Sequence, residues 1–182
     1  VASISGGTVA ACLYAASSSA VLDASGNIFE YVTRVGHAEY VGRLKIFIYS
    51  SAGIPTNDLV AAAQLKIDGY KDTLTGDITP GYSSAGVSVV VYAMQELVTN
   101  VSVGVEMLAG FSLTAGVIND LSSRMSSMLS QTKSGDTLYL GDINTGLLAA
   151  DGVKRIVVNS DQNIICPSNK VLVLGTLTAV AL

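Results

Sequence analysis

Residues 42–70, GRLKIFIYSSAGIPTNDLVAAAQLKIDGY, hold the transition that decides the fold. From Arg43 to Tyr49 the chain is rich in β-branched and aromatic residues, which predicts a strand. Past Gly53 and Pro55 the period changes. Leu59, Ala63 and Ile67 recur every four residues and share one helical face. Thr56 or Asn57 can cap that helix, and Gly69 can stop it.

Toward the N-terminus, Ile28 to Val35 reads as a partner strand, with a turn expected at Gly36 to Glu39. Residues 6–20, GGTVAACLYAASSSA, are Ala-rich with Val9, Leu13 and Ala16 on one face, which predicts a further helix. Toward the C-terminus, residues 71–86, KDTLTGDITPGYSSAG, read as a loop. Two β runs follow at 87–94 and 98–108, forming either a hairpin or consecutive strands. Residues 112–135 predict a helix with Ile118, Leu121, Met125 and Met128/Leu129 on its apolar face and Gly135 at its end. A short helix capped by Asp142, the strand 153–158 (VKRIVV), a polar turn and a last strand at 170–182 complete the chain. Strand–helix–strand order thus occurs twice, over 43–94 and 98–158. The predicted fold is α/β (α+β) in two small lobes, 26–96 and 97–182, each a sheet packed by helices in βαβ-type order. Residues 1–25 are expected to be a helical segment ending a longer upstream region.

The composition narrows the function classes. Hydrophobic residues are 49% and charged residues 13%, about half the roughly 25% charge of ordinary soluble domains. Mean hydropathy is +0.50, yet no apolar run approaches the roughly 20 residues of a membrane helix. Such a surface suits subunit contact, where charge is depleted. Net charge is −4 and the ten Lys and Arg are scattered, which argues against a nucleic-acid surface. Cys12 and Cys166 read as two buried thiols.

No constellation points to catalysis, a cofactor or a metal. Asp136, Asp142 and Asp151 sit at predicted helix ends and turns, where carboxylates cap and punctuate. The single histidine, His37, has Glu39 beside it but no nucleophile pattern. There is no GxGxxG, no GxxxxGK[ST] and no GxSxG. The residues expected to matter are contact residues. They are Arg34, His37 and Glu39 at the tip of the Tyr31–Tyr40 hairpin, and Thr73, Asp77 and Tyr82 in the Gly-rich loop 73–82.

Several stretches, in order, carry a resemblance. Pro55, Asp58 and Leu59 open the first helix; Ala85, Gly86, Val87, Val89 and Val91 form a G-V-x-V-x-V strand. Gly135, Asp136 and Leu138 follow the second helix, and Gly152, Val153, Ile156 and Val158 form a G-V-x-x-I-x-V strand. With the closing NKVLVLGTLTAVAL, this order resembles the baseplate J-like family of contractile phage tails and related injection machines over about residues 6–182. The family's acidic upstream segment is absent. The resemblance implies a non-enzymatic wedge protein that connects hub, sheath and peripheral parts and rearranges on contraction. It implies a virion location at the tail baseplate after synthesis in the host cytoplasm. It also implies partners among other wedge and hub proteins and copies of the chain in a ring, with no nucleic acid and no membrane insertion. The alternative is a small α/β adaptor or ligand-binding module.

Overall fold

The computed structural model describes residues 8–83 and 86–182. The chain is α+β, with four helices and eleven strands among these residues. It divides into two compact units, one ending at Gln95 and one spanning Glu96–Leu182.

The first unit begins with α1 (Val9–Ser17), capped by Thr8, whose hydroxyl accepts the Ala11 N–H at 3.1 Å. The strands β1 (Ala20–Leu22), β2 (Ile28–Tyr40) and β3 (Arg43–Ser50) follow as an antiparallel meander. The expected turn at Gly36–Glu39 is instead strand. The ladder runs unbroken from Arg34↔Tyr49 to Tyr40↔Arg43, and the chain reverses at Val41–Gly42, where Gly42 takes φ +70°. A two-residue hairpin loop requires positive φ, and Gly42 meets that need where Gly36 does not.

The helix α2 (Asn57–Asp68) forms as its sequence predicts. Thr56 is the N-cap, Leu59, Ala63 and Ile67 are buried, and Gly69 follows at φ +79°. It crosses to β6 (Ser88–Ala93), which lies parallel to β3 at the sheet edge, giving the order β1-β2-β3-β6. Residues 71–86 are more than a loop. The short strands β4 (Gly69–Lys71) and β5 (Ile78–Pro80) pair as a hairpin leaving the end of α2. Gly81 permits this exit, since a Cβ there would lie 2.3 Å from the Asp68 carbonyl carbon. Of the residues carrying the resemblance, Ala85 lies outside the described residues, as do the first two of the predicted 6–20 helix.

Both helices cover one face of the sheet. Ala15 and Cys12 of α1 and Leu59 and Ile67 of α2 meet Ile46 and Ile48 of β3 and Val91 of β6 in one core. Each such Ile or Leu contributes about 1.5–3 kcal/mol on burial. Strict alternation along β3 therefore turns Arg43, Lys45, Phe47 and Tyr49 to the opposite face.

The second unit is built on β7 (Gln95–Met107), flanked by β9 (Val153–Val158) and β11 (Lys170–Ala181). The runs 87–94 and 98–108 are thus consecutive strands in different sheets. The helices α3 (Ala115–Gln131) and α4 (Leu140–Leu148) supply Leu121, Met125, Leu129, Ile143 and Leu147 to the core. The α3 helix ends at the Thr132 cap, before Gly135, which sits in the following turn. The returning strand β9 is antiparallel to β7, so the second strand–helix–strand passage is not a parallel crossover. Its parallel neighbour is β11, with Gly175 against Val98 and the Leu182 N–H on the Val105 carbonyl. The strands β8 (Thr137–Leu138) and β10 (Ile164–Ile165) pin the polar segment before β11.

Candidate interaction surface on the first sheet

The uncovered face of the first sheet follows from the register. Tyr40 stands opposite Arg43, Ala38 opposite Lys45, and Gly36 opposite Phe47. On the other side Lys45 meets Val90 and Phe47 meets Tyr92. The Phe47 and Tyr92 rings lie 5.9 Å apart. The Lys45 ammonium sits 5.3 Å from the Tyr40 ring and 5.9 Å from the Tyr92 ring, an arrangement that favours a cation over each aromatic quadrupole. Arg34, opposite Tyr49, extends the same face. Among the positions that the register places on this face are three cations and no carboxylate. Tyr40, Val41, Arg43 and Lys45 bound a shallow depression of about 500 Å³.

The expected contact residues are thereby separated. Arg34 lies on the open face. His37 and Glu39 pair with Ile46 and Leu44, whose side chains are buried on the helix side, so they point the other way. None of the three is at the hairpin tip, because that turn is at Val41–Gly42. The His37 Nε2 is 3.3 Å from the Glu39 carboxylate, both side chains being largely exposed. Thr73 and Asp77 are exposed in the β4–β5 turn. Tyr82 serves the interior instead. Its N–H donates to the Ile67 carbonyl, its carbonyl accepts from the Cys12 thiol at 3.5 Å, and its ring lies 6.4 Å from Tyr14. Sequence reasoning missed Arg43, Lys45, Phe47 and Tyr92, and included Tyr40 only as the end of the expected hairpin. The signal was present, since R-x-K-x-F-x-Y is one phase of the β3 alternation.

Several titratable groups elsewhere have local structural partners. Burial, and then the Asp68 charge, push the Cys12 thiol up, away from thiolate chemistry. Glu30 on β2 is fully buried. Its carboxylate accepts the Thr56 N–H at 3.1 Å and the Thr56 hydroxyl. Burial pushes its pKa up, but the Ser50 and Thr56 hydrogen bonds outweigh that and hold it below the usual value. In the second unit, Asp142 is not the cap expected of it. Tyr139 occupies the N-cap, Asp142 lies in the first turn, and the Leu140 N–H is taken by the Asn163 side chain at 3.0 Å. Asp151 and Gly152 form the turn into β9, with Gly152 at φ +72°. The Asp136 carbonyl accepts the Cys166 N–H, and the Gly135 N–H donates to the Cys166 carbonyl. Among the described residues no three His, Cys, Asp or Glu converge as a metal site, and no helix is long and apolar enough to cross a membrane.

No protein-family model matches the sequence, and a search of curated proteins finds no match.

Proposed function

We propose that the chain is a non-enzymatic assembly subunit, a wedge component of a contractile-tail baseplate. In this role it connects hub, sheath and peripheral parts and shifts its contacts on contraction. The order of motifs supports the reading. The observation that carries it is the open face of the first sheet. Aromatic rings and arginine gathered on one exposed, charge-asymmetric face are residue types enriched at contact surfaces. Two small units, each with its own core, suit a part that must hold shape while its contacts change.

The test is to isolate contractile tail particles from the source of the sequence and locate the chain by mass spectrometry and electron microscopy. Density for both α+β units at the baseplate end is expected. A chain recovered only outside particles sinks the reading.

One observation favours an adaptor or ligand-binding module. A cavity of about 370 Å³ in the second unit is lined by amides and hydroxyls, Asn100, Ser102, Asn159 and Asn163 among them, over an apolar floor that includes Ile143 and Val158. A neutral polar ligand suits it.

A further inference from the structure

Two features of the first unit are exposed and opposite in charge. The first is the open sheet face, with Arg34, Arg43 and Lys45 beside Tyr40, Phe47 and Tyr92. The second is the β4–β5 hairpin. At its tip the Asp72 carboxylate accepts the Leu74 N–H at 2.7 Å and the Thr75 N–H at 3.1 Å, and the Asp72 N–H donates to the Asp77 carbonyl at 2.8 Å. That tied turn holds Leu74 out in water at 94% exposure, with Ile78 at 74%. Asp72 and Asp77 flank the leucine. A rigid turn presenting an apolar residue between two carboxylates has the form of a docking element.

We propose that the hairpin tip of one copy docks on the open sheet face of a second copy. Leu74 enters the depression bounded by Tyr40, Val41, Arg43 and Lys45, and Asp72 and Asp77 face the Arg43 and Lys45 cations. The charge balance selects this occupant. The face collects three cations without a carboxylate in a chain of net charge −4, so the remaining surface of another copy is acidic. The hairpin does not fill its own chain's face. It leaves the end of α2, which packs on the opposite side of the sheet, and Leu74 stays exposed. The contact joins two different surfaces, so it is heterologous and can propagate from copy to copy. A nucleic acid would also meet cations and rings, but it would be repelled by the acidic remainder of the chain.

The inference rests on reading the chain as an assembly subunit, but it is tested on the purified full chain alone. Sedimentation velocity across protein concentration, at low and high salt, is the measurement. Species heavier than the 18.7 kDa monomer are expected at high concentration and low salt, and they dissociate as salt screens the contact. Lys45→Glu and Asp77→Lys each weaken association by about tenfold or more, and mixing the two restores it because the reversed charges pair again. Leu74→Ser weakens it without changing charge. Leu74 and Asp77 are exposed and Lys45 is half-buried, and circular dichroism checks that the variants fold. A chain that stays monomeric under all conditions overturns the proposal, as does association that Lys45→Glu and Leu74→Ser leave unchanged. A monomer that captures an oligonucleotide through Lys45 overturns it too. None of these outcomes decides the baseplate role, which is read in particles.

Discussion

At the scale of a single residue, Glu30 joins two elements through one buried carboxylate. A buried carboxylate is costly unless hydrogen-bonded, and Glu30 is bonded to the residue that caps α2. It ties β2 to the N-terminus of that helix, where a negative charge also meets the positive end of the helix dipole. Because its folded pKa lies below the ordinary value of 4.5, it adds stability at pH above its unfolded pKa. That stability is lost as pH falls through the folded value. Glu30→Gln is expected to cost roughly 1–3 kcal/mol at neutral pH. The loss should shrink on acidification, as read by urea unfolding over a pH series. An unchanged pH profile would remove the carboxylate from this role. None of this was legible in the sequence. Glu30 looks like one polar residue in a strand, and its partner stands 26 residues away.

At the scale of elements, the β6 edge of the first sheet is covered in part by a side chain. Strand β6 has β3 on one side only. On the other side, the Gln64 amide of α2 donates to the Val89 carbonyl at 3.0 Å and accepts the Val91 N–H at 2.8 Å, which is how a neighbouring strand would bond it. An unpaired edge is a template for aggregation. Gln64→Ala should therefore lower stability by about 1–3 kcal/mol and raise light scattering on incubation near the unfolding midpoint. A variant as soluble as the native chain would show that the edge is protected otherwise. The α2 helix itself was legible from Thr56, Leu59, Ala63, Ile67 and Gly69, because a helix is specified by contacts within four residues. The β2–β3 reversal was not. A glycine within a strand resembles a turn until the ladder shows which glycine needs positive φ.

At the scale of the whole molecule, each unit has its own core. Ile46→Ala in the first and Leu121→Ala in the second each remove a fully buried side chain. Each should cost about 2–5 kcal/mol. Amide exchange is expected to quicken within β3, α2 and β6 for Ile46→Ala, and within α3 and β11 for Leu121→Ala. Loss of protection spread evenly over the chain in either variant would mean a single cooperative block.

The sequence by itself determined the α+β class, the buried faces of α2 and α3, most strand positions and the absence of a long apolar span, since each is written in short-range periodicity; on α1 the buried face is Ala11, Cys12, Ala15 and Ala16 rather than the expected Val9, Leu13 and Ala16. The tertiary structure alone decided which strands pair. It assigned β6 and β7 to different sheets and made β9 return antiparallel. It separated Arg34 from His37 and Glu39, and gathered the cations and rings of β2, β3 and β6 on one open face. Alternation specifies which side of a strand is buried but not which strand lies beside it. That choice depends on cores assembled from residues far apart in the chain, and the candidate surface exists only once it is made.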